Sequence, residues 1–438
     1  MDRIVVTALI AVAALLPFER LGGFDVAGFN VRPSQVALAA AWLFFACTVL
    51  RHVSQNGTWT ISWRRPAFLA LAGFFAAAGL SLLNAENFER SLVVLGFTIF
   101  TASLAFLMPN ALHAEDLPRV RKVVLIAAAL VGLFGLWQFV GDMLGAPTWM
   151  TGLRSTYSRA ILGFTRVQST AAEPLYFANY LLLPVALAGA WLLHAPESRT
   201  SRLLIVLLGL LTLCIFLTSS RGGWLGLGVT ALALLWLERR RLKDWKPLAS
   251  GLGVGLAALA LGVFLLGRFF SPTLSSVPET FFRHVTTITD GAAFDDRTRT
   301  MSAALDAWKR HPWIGVGYGG YGPYVAASAF SAPDAGWPIA NNETLELLAE
   351  TGIIGLATFL IFLFTLFREA ASSGRRGRVP AEYPLVRSGD AAEAVRVACL
   401  AALLGMLAQY QTFSTLYIMH VWFTAGLLLA TLTRRAGN

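Results

Sequence analysis

Residues 203–237, LLIVLLGLLTLCIFLTSSRGGWLGLGVTALALLWL, contain one charged residue, Arg221, in an otherwise apolar run. A single helix over this run would be about 50 Å long at 1.5 Å per residue, whereas the hydrocarbon core of a bilayer is about 30 Å thick. The run must therefore break, and SSRGG at 219–223 is the predicted break. Each half would span only about 20 to 25 Å, so we expect the turn to lie within the outer leaflet. Irregular backbone at that depth is stable only where protein or a wet cavity surrounds it.

Arg221 has two interpretations at such a turn. A buried, unpaired guanidinium costs several kcal/mol, so the side chain must find a polar environment. It could extend to the lipid headgroups from a tight hairpin. Alternatively it faces a cavity and binds an anion, which we favour because Gly222 and Gly223 would expose backbone N–H groups beside it.

The composition places the chain among integral membrane proteins. It has 438 residues, of which 56% are hydrophobic and 14% charged, and its mean hydropathy is +0.62; a soluble globular protein is less apolar. The first apolar run, 4–18, is interpreted as a span rather than a signal peptide, because further apolar runs follow it. The net charge of +10 is explained by loop orientation, so no nucleic-acid partner is expected. All three cysteines lie in apolar runs, which indicates neither disulfides nor a cysteine metal site.

Hydropathy predicts about twelve transmembrane helices. The candidate spans are 4–17, 35–50, 66–83, 91–109, 122–141, 175–193, 203–218, 224–237, 248–267, 344–367, 394–412 and 416–433. If the spans alternate, the Lys/Arg-rich segments 51–65, 238–246, 368–387 and 433–438 lie on one side, which the positive-inside rule makes cytoplasmic. Both termini are then cytoplasmic.

The predicted fold class is an all-α integral membrane protein with a large periplasmic loop that contains short amphipathic helices. The predicted division is 1–267 for the first nine helices, 268–341 for a loop mini-domain and 342–438 for the last three helices. The loop carries six Lys/Arg and six Asp/Glu and so lacks the bias of a cytoplasmic segment.

A polar cluster in this loop reads FDDRTRTMSAALDAWKRHPWIGVGYGGYG at 294–322. Its periodicity predicts an amphipathic helix on the membrane surface from Arg297 to Arg310, which Pro312 stops. The glycines that follow resemble a phosphate loop, but no Lys-Ser/Thr succeeds them, and we predict a tight turn with close packing. Asp295 and Asp296 could hold a metal, yet pairing with Arg297 or Arg299 is the favoured interpretation.

The next polar segment is PIANNETLELLAETGIIGLATFLIFLF at 338–364. Asn341 or Asn342 can cap the helix, and Glu343, Glu346 and Glu350 share one helix face. Carboxylates that enter a span usually face the bundle interior and mark a site; a salt-bridged interfacial turn is the alternative. The helix start would also attract an anion.

A further segment, LGFTRVQSTAAEPLYFANYLLL at 162–183, places Arg166 and Glu173 before a span on the same outer side. Its aromatic residues Tyr176 and Phe177 are typical of the interfacial belt. All these clusters are assigned to the outer face, whereas a transporter of this size more often has charges near the midplane.

Together, LTSSRGGWL, Arg297 with HPWIGVGYGGY, and NNETLELLAETGIIG resemble the O-antigen ligase and polymerase superfamily. The resemblance covers roughly 160–367, and the ordered set of motifs is more specific than any one of them. It implies a metal-independent glycosyltransferase without a cofactor in the bacterial inner membrane. Such an enzyme transfers a glycan from undecaprenyl diphosphate to an acceptor hydroxyl at the periplasmic face. The implied partners are the lipid-linked oligosaccharide donor, a saccharide acceptor and membrane lipid.

By this resemblance Arg221 and Arg297 handle the lipid diphosphate. Asn341 and Glu343 complete the predicted catalytic set, and the predicted substrate-binding residues are Arg166, Glu173, Arg299, Asn342 and Glu346. No metal ligand is predicted. The family motif usually begins His-Asn, whereas here Asn341 cannot accept a proton. Glu343, Glu346 or His311 could substitute, or a leaving group stabilised by arginines could suffice while Asn341 orients the acceptor.

Several functions remain open at this point. The absent histidine slightly favours a polymerase of repeat units, with another lipid-linked glycan as acceptor. The alternative is an O-antigen ligase with lipid A core as acceptor. From other classes, a twelve-span transporter or lipid-linked sugar flippase and a membrane scaffold are the competing hypotheses.

Overall fold

The computed structural model describes residues 3–26, 29–56, 65–194, 201–239, 241, 246, 249–251, 253–255, 257, 261, 292–333, 336–376 and 386–432. Most of the predicted span 248–267 lies outside these residues, as do the first part of the predicted loop mini-domain and both chain termini. The predictions for those segments stay predictions.

The described chain is helical, as predicted, apart from one short antiparallel ribbon. Strands β1 (Phe24–Val26) and β2 (Phe29–Val31) pair with Phe24 opposite Val31 and Val26 opposite Phe29. The helices in chain order are α1 (Arg3–Leu15), α2 (Pro33–Asn56), α3 (Pro66–Ser81), α4 (Phe88–Ala102), α5 (Leu104–Ala111), α6 (Leu117–Met143), α7 (Thr148–Thr151), α8 (Arg159–Leu162), α9 (Pro174–His194), α10 (Ser201–Leu217), α11 (Arg221–Leu237), α12 (Ala292–Arg310), α13 (Tyr321–Val325), α14 (Glu343–Arg376), α15 (Val386–Gln409) and α16 (Met419–Ala430). Single 3-10 turns cover Leu82–Asn84 and Ser155–Tyr157.

Within the described residues, seven helical segments are long and apolar enough to cross a membrane. They are Pro33–Gln55, Pro66–Asn84, Phe88–Ala111, Leu117–Met143, Pro174–His194, Glu343–Ser372 and Ala391–Gln409. Four shorter apolar helices, α1, α10, α11 and α16, coincide with other predicted spans. The protein is therefore a multi-helix membrane protein, and the number twelve remains a prediction.

The chain contacts group into two compact units, each assembled from separate stretches. Unit 1 comprises Met1–Thr48, Ala111–Ile288 and Val379–Met406, and unit 2 comprises Val49–Asn110, Thr289–Arg378 and Leu407–Asn438. The described part of the predicted loop, including α12, thus shares a unit with transmembrane helices.

Unit 1 is built around α9, whose side chains are apolar on every face and mostly buried. A helix that is hydrophobic all round is suited to the centre of a bundle, and α6, α10 and α11 pack against it. The close approach of α11 depends on Gly223, where an added Cβ would lie 2.6 Å from the Cβ of Ala178. The starts of α9 and α11 therefore lie side by side.

In unit 2 the central contact joins α3 to α14. Phe74 of α3 packs against Phe359 of α14 with ring centroids 5.2 Å apart, and both side chains are buried. The amphipathic helix α12 packs on α14, with Ala304 and Ala307 buried in the contact. The predicted helix over 297–310 and its end before Pro312 are confirmed, and the side with Ala304 and Ala307 contacts protein. The location of this helix on the membrane surface stays a prediction.

Helix α14 is interrupted at Gly352, which has φ 63° and ψ −167°. The interruption lets the turn segment 312–317 hydrogen-bond with the helix backbone. Val316 and Gly317 donate to the carbonyls of Ala349 and Glu350 at 2.9 and 3.0 Å. On the other side of the break, Ile353 donates to Pro312 O at 2.9 Å. We call this arrangement the splice.

The close backbone contacts of the splice require glycine at two positions. A Cβ on Gly352 would overlap the backbone of Trp313, and one on Gly315 would overlap the backbone of Glu350. Both glycines also have positive φ, which a residue with a side chain rarely adopts. The predicted tight turn with close packing at 315–320 is thus confirmed: Gly317 and Gly319 have positive φ as well, and both lie against neighbouring side chains.

Candidate functional site

The turn between α10 and α11 is the first feature of the candidate site, in unit 1. Helix α10 ends at Leu217 and α11 begins at Arg221, so the predicted break is confirmed. Ser219 adopts a positive φ of 50°, and the Ser220 side chain caps α11 by accepting a hydrogen bond from Gly223 N at 3.2 Å. The two glycines were expected to expose backbone N–H groups, but Gly223 N is taken by the cap and Gly223 serves close helix packing. Arg221 occupies the first position of α11 and is partly exposed.

Arg166 is joined to this turn. Its Nε donates to Thr218 O at 3.2 Å, and the next residue, Val167, donates to Leu217 O at 3.0 Å. The guanidinium also lies 5.8 Å from the centre of the Tyr157 ring. The structure therefore brings together the α10–α11 turn and Arg166, which the sequence had placed in separate segments.

Glu173 precedes α9 and faces Arg154 and Arg166. Burial raises the pKa of Glu173 above its usual range, Arg154 and Arg166 oppose this shift, and Glu19 adds to it. The same burial, together with Glu173, raises the pKa of Tyr157. The structure thus places Arg166 and Glu173, which the sequence located only in the same segment, as neighbouring charges.

Sequence reasoning missed two further arginines of this region. Arg20 donates to Gly152 O at 2.8 Å, and burial with the nearby positive charge of Arg154 lowers the pKa of Arg20. Arg20 and Arg154 are 134 residues apart in the sequence, so no local pattern connects them. We call Arg20, Arg154, Arg166 and Arg221 the arginine group.

An apolar cavity lies deeper in unit 1. Its volume is about 210 Å³, and it is lined by residues of α9, α10 and α11 together with Ala249. Its walls include Val185, Gly189, Leu208, Leu227 and Leu234. Leu227 and Leu234 follow Arg221 by 6 and 13 residues, which places the cavity about 9 to 20 Å along α11 from the arginine at 1.5 Å per residue.

In unit 2 the start of α14 carries a second group of candidate residues. Asn342 caps this helix, as predicted: its Oδ1 accepts from Leu345 N at 3.0 Å. Its own backbone N–H donates to Ser414 Oγ at 3.0 Å, and its side chain donates to Gln411 O at 3.3 Å. Asn342 therefore fixes the helix start to the segment between α15 and α16.

Two of the three predicted glutamates are buried and bonded to backbone N–H groups. Glu343 is 7% exposed, and its Oε2 accepts from Thr415 N at 2.6 Å. Glu350 is 6% exposed, and its Oε1 accepts from Tyr321 N at 3.1 Å. These contacts give both carboxylates a structural role in holding the segments around α14.

Glu346 differs because it is partly exposed. Its Oε2 accepts from Ala340 N at 2.6 Å, and it is hydrogen-bonded to the side chain of Ser414. The contact with Ala340 places this carboxylate next to the turn at Asn341. Asn341 has a positive φ of 57°, a conformation that asparagine adopts more readily than most residues.

Helix α12 brings Arg297 toward the same place. The side chain of Thr300, one turn after Arg297, lies 3.4 Å from both Asn341 Nδ2 and Ala340 O. Arg297 and Arg299 are exposed on α12, and Arg299 pairs with Asp296 at 2.6 Å, as predicted. His311 follows Thr300 by eleven residues, about 16 Å along the helix axis, so it does not share this location.

Arg90, at the start of α4, is a residue that sequence reasoning missed. It donates to Gly319 O, lies 5.1 Å from the centre of the Trp337 ring, and faces Glu350 and Glu346. Tyr321, in the adjacent α13, donates to Thr300 O at 2.6 Å. Burial is the main cause that raises the pKa of Tyr321, and the negative charges of Glu346, Asp296 and Glu350 raise it further.

The predicted site residues thus lie in two groups. Arg166, Glu173 and Arg221 belong to unit 1. Arg297, Arg299, Asn341, Asn342, Glu343 and Glu346 belong to unit 2.

Comparison with known proteins identifies a family for the central part of the chain. No curated protein was found to match it. Residues 204–360 match the family model described as O-antigen ligase. This range contains Arg221, α12, the splice and the start of α14. The match confirms the resemblance of the motifs to the O-antigen ligase and polymerase superfamily over residues 204–360.

Proposed function

We propose that the protein is a glycosyltransferase of the bacterial cytoplasmic membrane. It transfers a glycan from undecaprenyl diphosphate to a hydroxyl of an acceptor saccharide at the periplasmic face, without a metal ion. The anomeric carbon forms a bond to the acceptor oxygen, the bond to the diphosphate breaks, and the diphosphate leaves with the electron pair.

The observation that carries this proposal is the arginine group beside the α10–α11 turn. Guanidinium groups remain charged and bind phosphate oxygens in a bidentate manner. Arg221 is also the first residue of a helix, where the backbone adds a partial positive charge. The group holds four cations, and the carboxylate of Glu173 faces Arg154 and Arg166. Such a cluster suits the charge that develops on a departing diphosphate.

The apolar cavity of unit 1 supports a lipid-linked donor. We assign the isoprenoid units nearest the diphosphate to it, because its walls are apolar and it lies about 9 to 20 Å along α11 from Arg221. A lipid-linked diphosphate needs both features, cations for the diphosphate and an apolar site for the isoprenoid chain.

In unit 2 we assign the acceptor to the turn at Asn341 and the exposed side of Glu346. Arg297, on the neighbouring surface of α12, is proposed as a second ligand of the diphosphate. These groups can hold an acceptor hydroxyl and neutralise phosphate charge, which is what glycan transfer requires.

The test is release of undecaprenyl diphosphate from a lipid-linked oligosaccharide by purified protein in detergent with EDTA. The assay mixture contains both candidate acceptors, a second lipid-linked glycan and lipid A core. We expect release by wild type and a loss of at least about 100-fold in Arg221→Ala and in Arg297→Ala. Arg310→Ala, an exposed arginine at the other end of α12, is the control. No release by wild type would contradict the enzyme and favour transport of a lipid-linked sugar.

Within this function we favour a polymerase of repeat units, since Asn341 replaces the histidine of the family motif. The description of the matched family as O-antigen ligase supports the second candidate, transfer to lipid A core. A strain without the gene distinguishes them: loss of a polymerase leaves single repeat units, and loss of a ligase leaves full-length chains on the carrier lipid.

A further inference from the structure

Arg90 is partly buried in unit 2 and is held from several directions. Its backbone N–H donates to the Asn87 side chain at 3.0 Å, which caps α4. Its guanidinium donates to Gly319 O and lies 5.1 Å from the centre of the Trp337 ring. A guanidinium on an aromatic ring is oriented as well as attracted. The direction of this side chain is therefore fixed by the fold.

The charge of Arg90 faces Glu350 and Glu346 of α14. The turn at 319–321 lies between them: Gly319 O accepts from Arg90, while the N–H groups of Gly319 and Tyr321 donate to Glu350. Among the described residues, neither carboxylate forms an ion pair with Arg90 within 4.0 Å. Arg90 thus acts on the two carboxylates through its charge and through this turn.

Glu346 is the carboxylate of this pair that can reach a substrate. Glu350 is 6% exposed and bonded to the 319–321 turn. Glu346 is partly exposed and lies beside Asn341 through its bond to Ala340 N. Its bonds to Ala340 N and Ser414 orient the carboxylate at the surface of the proposed acceptor position.

We propose that Glu346 is the general base of the transfer and that Arg90 is its positioning residue. In this step Glu346 accepts the proton of the acceptor hydroxyl as the acceptor oxygen bonds to the anomeric carbon and the diphosphate departs. Arg90 offsets the negative charge of Glu350 and favours the ionised, proton-accepting form of Glu346. This inference rests on the proposed glycan transfer.

A change in the pH dependence of activity distinguishes this role of Arg90 from a role in packing alone. A nearby positive charge stabilises an ionised carboxylate, and a nearby negative charge does the opposite. Removing Arg90 leaves Glu346 beside the carboxylates of Glu343 and Glu350 without the opposing charge of Arg90, so activity should then appear only at higher pH. Removing the charge of Glu350 as well should reverse part of that change.

The experiment measures kcat and donor KM from pH 5.5 to 9.5, with the assay of undecaprenyl diphosphate release. The variants are Arg90→Gln, Arg90→Lys, Glu346→Gln and the double variant Arg90→Gln with Glu350→Gln. Arg65→Gln is the matched control, because Arg65 is also a partly buried arginine of unit 2. It donates to a backbone carbonyl, Leu429 O at 3.2 Å, and faces Glu369 near the other end of α14.

We expect Glu346→Gln to lose about 100-fold or more in kcat at every pH, the size of a general-base contribution. Arg90→Gln should lose about 10-fold or more in kcat at pH 7, with donor KM changed by less than about 3-fold, since it acts on the transition state rather than on donor binding. The rise of its pH–rate profile should move to higher pH. Arg90→Lys and the double variant should each recover part of the loss, and Arg65→Gln should keep the wild-type profile.

An unmoved pH–rate profile in Arg90→Gln would overturn the role of Arg90, as would an equal effect of Arg65→Gln. A Glu346→Gln protein with wild-type kcat would overturn the base. If Arg90→Gln does not fold, the profile of Arg90→Lys decides in the same way. These comparisons require an active wild-type protein. If the wild type itself releases no undecaprenyl diphosphate, the proposed function fails, and that result is distinct from a failure of the roles of Glu346 and Arg90.

Discussion

Arg221 shows how far a single residue can be understood from its neighbours in sequence. The run 203–237 predicted both the break and the exceptional position of this charge, and the structure confirms a turn followed by a helix that begins at Arg221. The arginines that accompany it could not be predicted in this way. Arg20 and Arg154 reach the region from other segments, and only their contacts reveal them.

The first prediction concerns the geometry of Arg221. Arg221→Lys keeps the positive charge but loses the planar fork that binds two phosphate oxygens. We expect a loss of about 10-fold or more in kcat for undecaprenyl diphosphate release, because about 1.4 kcal/mol is close to the lower end of the free energy of one charge-assisted hydrogen bond. Full activity of Arg221→Lys at normal expression would contradict bidentate binding.

The second prediction concerns Glu173, whose pKa is raised in the folded protein. An acid with a raised folded pKa contributes stability while it is protonated, and this contribution is lost as the pH rises through the folded pKa. Glu173→Gln mimics the protonated form, so its melting temperature should exceed that of wild type at pH 7.5 and approach it at pH 4.5. The measurement is thermal unfolding in detergent at both pH values.

Glu115→Gln, a change at an exposed glutamate of the same unit, is the control for this comparison. A Glu173→Gln protein that is less stable than wild type at pH 7.5 would show that Arg154 and Arg166 need the negative charge more than burial disfavours it.

At the scale of secondary-structure elements, local signals were reliable. The Asn342 cap, the helix over 297–310 and the glycine turn after Pro312 all follow from residues within a few positions of one another. The interruption of α14 at Gly352 was not predicted, because TGIIG continues the apolar pattern of a span. It is stabilised by hydrogen bonds to 312–317, almost 40 residues away in the chain, which no local pattern reveals.

The third prediction tests the splice. Gly352→Ala adds a Cβ that overlaps the backbone of Trp313 and places alanine at positive φ, so it should cost more than about 2 kcal/mol. Gly336→Ala is the matched control, because Gly336 has φ +85° with open space around it and should cost only about 1 kcal/mol. Thermal unfolding in detergent measures the melting temperatures, which should follow this order of stability.

Gly79→Ala completes this series. Gly79 lies inside α3 with nothing near an added Cβ, so alanine should be neutral or stabilise by up to about 1 kcal/mol. Equal melting temperatures of Gly352→Ala and Gly336→Ala would contradict the close backbone contact at the splice.

The fourth prediction tests the apolar cavity. Ala231→Phe fills space between α9, α10 and α11, and we expect donor KM to rise by about 10-fold while most of kcat remains, since uniform binding is what is lost. Leu232→Phe, on the exposed side of the same helix, is the control. An unchanged donor KM in a folded Ala231→Phe protein would show that the isoprenoid units do not bind in this cavity.

At the scale of the whole molecule, the sequence predicts orientation in the membrane. The Lys/Arg-rich segments place 51–65 in the cytoplasm and the segment that contains Glu86 outside. In a background without the native cysteines, a membrane-impermeant maleimide should label Glu86→Cys in spheroplasts and Gln55→Cys only after lysis. The reverse result would invert the predicted topology and move the proposed active site to the cytoplasm.

What the sequence alone determined are the membrane class, the positions of most helices, the turn before Arg221 and the motifs that resemble the superfamily. These features follow from hydropathy and from capping and turn residues, which act over a few residues of chain. Only the tertiary structure decided that Arg166 joins the α10–α11 turn, that the splice divides α14, and that Arg90 faces Glu346 and Glu350. Arg90 and Gly319 are 229 residues apart, and contacts of that separation form only when packing and buried hydrogen bonds bring distant segments together.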